Sequence, residues 1–364
     1  MLPSQNRTRP ATGRPAIAPR RAALAAGRNA LATGRAALAP RRAALAACAL
    51  TAGFVFVLAG CSSQAASPAA GASASSAASS GVSAPASASS SPLQSSPVSA
   101  LPALSHIFII VMENESGRSI IGNPDAPFIN GLADHYSLAT DYSALYHPSL
   151  PNYIALTSGS NQGITDDRSP PSAGYAVNAV NIADRIEASG RTWKLYGESM
   201  PSPGFADNAH LYATRHIPFL YYRDILDNAA RRTSHVVPYT QLAADLRSAS
   251  TTPDYAFITP NTVDDMHDSS IAVGDAWLAR NVPPILSSPA FTSSRSLLVI
   301  TWDEGSAGDN HVATILAGSA AKLGYRSIRP YDHYSLLHTI EADWHLQPLS
   351  ANDAQAVTMG EFLH

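Results

Sequence analysis

The sequence predicts an α/β fold, a mostly parallel sheet flanked by helices on both faces. Three observations carry that expectation. Two uncharged runs rich in β-branched residues, His106–Met112 and Ser296–Trp302, read as strands buried on both faces, the pattern of central parallel strands. Strand-like and helix-like segments alternate along residues 101–364, the order that builds parallel sheets from β–α–β units. Each of the two runs also stops at adjacent ligand-type residues, Glu113-Asn114 after the first and Asp303-Glu304 after the second. Ligands of open α/β sheets bind beyond the carboxyl ends of the strands. Two such pairs delivered to one edge imply a shared site and an enzyme that uses a metal.

The first hundred residues stand apart from this pattern. They contain no Asp or Glu, and their nine Arg all lie at or before Arg42. Ala43–Gly60 is apolar apart from Thr51, short of a full membrane span, and ends in Leu58-Ala59-Gly60-Cys61. A basic region, an apolar core and small residues before a break make 1–60 an expected secretory signal peptide. Leu-Ala-Gly-Cys resembles the bacterial lipoprotein processing site, which implies lipidation of Cys61 and a membrane anchor. The alternative is an ordinary secretion signal in which Cys61 is incidental. Either reading places the protein outside the cytoplasm, at the cell surface or secreted. The segment APRRAALAA at Ala18–Ala26 recurs at Ala39–Ala47, so a start nearer Ala39 would give a signal of ordinary length. Residues 61–100 are almost wholly small, uncharged residues that cannot bury enough apolar area to offset chain entropy, and are expected to form a disordered tether.

Residues 101–364 are the expected catalytic domain. They hold all 27 acids but only 15 of the 24 basic residues, a formal charge of −12. That balance argues against a nucleic-acid partner. It also means that an anionic substrate needs a cation beside it.

Along the domain, apolar spacings of three and four predict helices over 126–136, 178–189, 239–248, 269–281 and 332–344. Gly190 suits the stop of the second, because glycine enters positive φ without a Cβ penalty. Strands are expected at 192–196, leading to Gly197-Glu198, and at 254–259, leading to the acidic run Asp264-Asp265-Met266-His267-Asp268. A fifth strand is expected at 312–317, just after His311. Residues 196–232 are the least regular and are expected to cap the site with loops, with Phe219, Tyr221 and Tyr222 either packing that cap or lining an apolar entrance for lipid. Trp193, Trp277 and Trp344 fall in element patterns as core residues, and His333 opens a helix either as a packing or capping residue or as a ligand.

The segment Tyr146-His147-Pro148-Ser149-Leu150-Pro151-Asn152-Tyr153 precedes an apolar helical stretch. Ser149 suits the helix cap and Pro151 the first turn. A hydroxyl there faces free backbone N–H groups, which also bind phosphate oxygens. Ser149 therefore reads either as a plain cap or as a nucleophile activated by a metal. No Gly-x-Ser-x-Gly elbow occurs, so an esterase of that design is unsupported. Carboxylate and amide oxygens favour a hard divalent cation such as Mg, Mn or Ca.

At these residues the chain resembles the bacterial phosphoesterase family of secreted acid phosphatases and non-haemolytic phospholipases C, within the alkaline-phosphatase-like fold. The matching stretches are HIFIIVMEN, APFINGLA, HPSLPNYIALTSG, LYGESMP, DDMHD, SIAVGDAWL, LLVITWDEG and DHYSLLHTIE, in order from His106 to Glu341. The resemblance is closest to the compact secreted acid phosphatases, some of which act on phosphoinositides. It implies that Glu113, Asn114, Asp303 and Glu304 hold the metal, that Ser149 is the nucleophile, and that His267 contacts phosphate or protonates the leaving oxygen. His147, Asn152, Asp265 and His311 are further candidates for substrate contact. Many relatives carry Asn where this chain has Asp264, which either adds a charge beside the phosphate or caps the following helix.

The expected protein is thus an exported, metal-dependent acid phosphatase acting on a phosphorylated small molecule or lipid. The rivals are a phospholipase C-type phosphodiesterase and a surface-anchored protein that binds metal or phosphate without turnover.

Overall fold

Buried strand residues organise the molecule. The computed structural model describes residues 103–306 and 308–364, so the expected signal peptide, Cys61 and tether lie outside the described residues. Ten strands occur among the described residues: β1 (His106–Met112), β2 (Ser137–Ala139), β3 (Tyr142–Ser143), β4 (Trp193–Gly197), β5 (Val236–Pro238), β6 (Tyr255–Thr259), β7 (Ser296–Trp302), β8 (Thr314–Ala317), β9 (Arg326–Ser327) and β10 (Tyr331–Asp332). Eight form one sheet in the order β5-β4-β6-β1-β7-β8-β2-β9, while β10 and β3 make a separate pair.

The two long runs are neighbours at the centre of the sheet. β1 and β7 pair in parallel over their full length, His106 opposite Ser296 and Met112 opposite Trp302. On its other side β1 pairs in parallel with β6. Every residue of β1 and β7 is buried, so neither face of the central sheet meets water and no alternation is visible in their sequences. The carboxyl ends of β1, β6 and β7 therefore open at one edge.

The sheet is mixed rather than wholly parallel. β8 starts at Thr314 and runs antiparallel to both β7 and β2. The link from β7 to β8 carries no helix, and a parallel return needs a crossover of about a dozen residues or more. β2, β5 and β9, of three, three and two residues, are too short to show a period and were not expected from the sequence.

Helices cover the sheet. Pro127–His135 packs on Ile271–Leu286, and Ser149–Ser158 packs on His333–Asp343. The buried Asp275 carboxylate accepts the N–H groups of Phe128 (3.2 Å) and Ile129 (2.8 Å), docking the first helix onto the second. Ile271–Leu286 runs beyond its expected end, through Pro283 and Pro284, because Val282 and Ile285 still face the core. The helix expected at 178–189 begins only at Ile182, where Asn181 and Asp184 form a reciprocal capping box. The 239–248 prediction resolves into a short 3₁₀ turn and Leu242–Asp245. Trp193, Trp277 and Trp344 are core residues, and Phe219, Tyr221 and Tyr222 are fully buried inside the cap.

Candidate active site

The β1–β7 register puts the two ligand pairs side by side. The N–H of Asp303 donates to the Met112 carbonyl (3.0 Å), continuing the ladder one residue past the strands. Asn114 then takes a left-handed φ of 46°, a conformation asparagine tolerates better than most residues, and its N–H approaches Asp303 Oδ1 at 3.4 Å. The turn after β6 adds Asp265, whose carbonyl accepts the Glu113 N–H at 2.9 Å. Glu113, Asp265, Asp303 and Glu304 are all buried here.

Ser149 reaches the same space. The cap position of its helix is taken by Pro148, and the Ser149 hydroxyl makes no capping bond. Ser149 Oγ lies 3.1 Å from Glu113 Oε2, 3.2 Å from Glu304 Oε1 and 3.5 Å from Asn114 Oδ1. Of the helix N–H groups beside it, that of Leu150 is taken, donating to Asp167 Oδ1 at 2.9 Å.

Two residues not expected from the sequence complete the cluster. His216, in the cap, places Nε2 3.2 Å from Glu113 Oε1 and Nδ1 3.3 Å from Asp265 Oδ2. Tyr153, one turn after Ser149 on the same helix, donates its hydroxyl to Glu113 Oε1 and stacks on the His216 ring, with centroids 5.5 Å apart. Its spacing of four from Ser149 is a signal that the sequence did hold. For His216 there was none beyond its type, because the irregular segment has no period from which to place it.

The electrostatics are those of acids crowded away from water. Burial, then the charges of Asp303 and Asp265, raise the Glu113 carboxyl well above the usual range. Burial and Glu304 do the same to Asp303, and burial raises Glu304 against the opposing effect of His147. Asp265 is pushed up to about 7, mainly by burial. Burial drives His216 well below its ordinary value, which leaves a neutral ring with a lone pair to offer. Asp303 Oδ2, Asp265 Oδ2 and His216 Nε2 are buried atoms without hydrogen bonds. Buried ligand-type atoms that lack a hydrogen bond suit a cation. Glu113, His216 and Asp265 form one such buried group.

The remaining expected site residues divide. His147 is half exposed at the mouth, with Nδ1 paired to Glu304 Oε2. His267 directs Nδ1 to Asp268 Oδ1 (2.8 Å), and its ring centroid stands 5.8 Å from that of His216. Asp265 joins the metal-type cluster, and its Oδ1 also accepts the His267 N–H at 2.8 Å. Asn152 does not face the cluster with a free group: its oxygen accepts the N–H of Leu145 and Tyr146, and its nitrogen donates to the carbonyls of Tyr146 and Pro148. His311 pairs instead with Asp141 at 2.9 Å. Asp264 turns to Asn261 (2.9 Å) and Arg280 (3.8 Å). Glu198, at the end of β4, accepts the Asn261 N–H and the Trp277 indole N–H and is a packing acid. His333 braces the cluster from behind, with Nε2 donating to the Asp303 carbonyl at 2.7 Å.

The model of the phosphoesterase family matches residues 122–347. A phosphatidylinositol-3-phosphatase of Mycobacterium tuberculosis is 34% identical over 245 residues, covering 67% of this chain and 78% of the relative. A probable acid phosphatase of Kluyveromyces lactis is 32% identical over 269 residues, covering 70% of this chain but only 61% of its own length. Among solved structures, an alkaline phosphatase superfamily protein from Vibrio parahaemolyticus superposes with a TM-score of 0.50 at 10% identity, covering 72% of this chain and 73% of that one. That likeness is one of fold.

Proposed function

Because the chain belongs to the phosphoesterase family and is a hydrolase of phosphoric ester bonds, we propose that it is an acid phosphatase that cleaves phosphomonoesters with Ser149 as nucleophile. The observation that carries this reading is the buried Ser149 hydroxyl, free of any capping bond and within 3.2 Å of two carboxylates. Ser149 Oγ attacks phosphorus and its proton passes to an adjacent carboxylate. The bond to the alcohol oxygen breaks, and that oxygen takes up a proton from solvent. Water then hydrolyses the phosphoserine.

Glu113, Asn114, Asp303 and Glu304 would hold a divalent cation beside Ser149, and Glu113, His216 and Asp265 form a second set. A bound cation supplies charge that favours the serine alkoxide and offsets the negative oxygens of the phosphoryl group. The His216 nitrogen widens the choice from Mg, Mn or Ca toward metals that accept imidazole.

The 34% identical relative named a phosphatidylinositol-3-phosphatase supports phosphoinositides as a substrate class. Export with anchoring at Cys61 rests on the sequence alone. No helix among the described residues is long and apolar enough to cross a membrane.

The test is release of inorganic phosphate from p-nitrophenyl phosphate at pH 5–6 by the full chain and its Ser149→Ala variant. Loss of about a thousandfold or more in the variant is expected. Equal turnover in both, or none in the parent, sinks the reading. Release of phosphocholine from lecithin without monoester cleavage would point to a diesterase instead.

A further inference from the structure

Arg215 bridges the two halves of the site. It lies in the Thr214–His216 turn, directly before His216. Asn208 Oδ1 fastens that turn by accepting the Thr214 N–H (2.9 Å) and hydroxyl (2.7 Å). On one side Arg215 Nη2 stands 3.1 Å from His267 Nε2. On the other, Nε is 3.9 Å from Asp167 Oδ2, and the second oxygen of Asp167 holds the N–H of Leu150, the residue after Ser149. The guanidinium thus spans from the nucleophile's helix to the histidine expected to serve the leaving oxygen.

The side chain is only 21% exposed, and its charge acts on Glu113, His216 and Asp265 alike. An arginine N–H can only donate, so the contact with His267 makes Nε2 the acceptor and leaves the Nδ1 proton to Asp268. A guanidinium has five N–H donors. One hydrogen bond to a ring and a 3.9 Å approach to a carboxylate leave most of that fork uncommitted. A planar fork in this position matches two oxygens of a phosphoryl group.

We propose that Arg215 is a substrate-binding residue whose guanidinium grips two non-bridging phosphoryl oxygens and selects dianionic monoesters over monoanionic diesters. The proposal rests on the phosphatase reading and adds the group that discriminates between the two ester classes. A monoester offers three terminal oxygens and two charges. A diester offers two oxygens and one charge, with a second substituent in the way of the fork.

The experiment uses the full chain with Mg²⁺ or Mn²⁺ present, as parent, Arg215→Ala and Arg215→Lys. Calorimetry measures binding of inorganic phosphate, and kcat/KM is taken for p-nitrophenyl phosphate and bis(p-nitrophenyl) phosphate. Arg215→Ala is expected to weaken phosphate binding by about 10- to 100-fold, the range for a charge-assisted bond. It should also lower monoester turnover far more than diester turnover, with partial recovery on adding guanidinium. Arg215→Lys, which keeps the charge but loses the fork, should fall between. If Arg215→Ala does not fold, the lysine variant decides, and an unchanged monoester-to-diester ratio overturns the proposal. Equal phosphate affinity in parent and alanine variants overturns it while leaving the phosphatase reading in place. A parent that binds phosphate through Arg215 yet releases none from either ester upholds the clamp and sinks that reading alone. A parent that binds no phosphate overturns the clamp.

Discussion

Glu113 meets three side chains of the site: Ser149 and Tyr153 donate to its two oxygens, and His216 Nε2 stands 3.2 Å from one of them. Tyr153→Phe removes one of these contacts without opening a cavity. Losses of about 10- to 100-fold in metal affinity or activity are usual when such a supporting partner is removed, and a metal titration of activity should show a shift of that size. His333→Ala should act in the same direction through the Asp303 carbonyl, read in the same titration. Glu113, Asn114, Asp303 and Glu304 were legible in the sequence because each pair is written directly after the strand that delivers it. Ser149 was legible as an alternative, and only the proline at the cap position decides what its hydroxyl is free to do. His216 and Arg215 were not legible, since their approach depends on the path of an irregular segment.

At the level of elements, the turn carrying Asp265 and His267 is seated against the Ile271–Leu286 helix. Its Met266 adopts a φ of 87°, and a Cβ added at Gly274 would come within 2.4 Å of the Met266 side chain. Gly274→Ala would gain about 1 kcal/mol of helix propensity on an exposed face. Here the clash should outweigh it, because overpacking a filled core costs about 1–3 kcal/mol. A lower melting temperature together with reduced turnover is expected. A more stable variant of full activity would show that the turn yields freely. The long central strands were legible from composition, since burial on both faces leaves no polar residue in them. The direction of β8 was not, because pairing sense is set by the length of the connection rather than by the strand's own residues.

Over the whole molecule, the crowded acids would tie stability to a cation held among them. At about 100 times its Kd, a cation that binds only the folded state stabilises by about 2.7 kcal/mol. Chelation should therefore lower the melting temperature by roughly 5–10 °C, and Ser149→Ala should keep most of that response. A second effect belongs to Glu341, buried on the His333–Asp343 helix near Asp353. Burial, then Asp353, pushes its carboxyl up to about 9. The unfolded chain releases this proton near pH 4.3, so the contribution is complete below that value and is lost as pH rises through about 9. Urea midpoints should fall between pH 6 and 9 in the parent and fall less in Glu341→Gln.

The pairing of β1 with β7 also governs when the protein can act. Glu113 is synthesised 190 residues before Asp303, and the strands that carry them meet only in the centre of the finished sheet. A nascent chain that already displays Ser149, His216 and Asp265 still lacks one wall of the centre. Contacts of such long sequence separation are the slow ones to form. Competence therefore arrives all at once and late, and a chain still being made carries its nucleophile in silence.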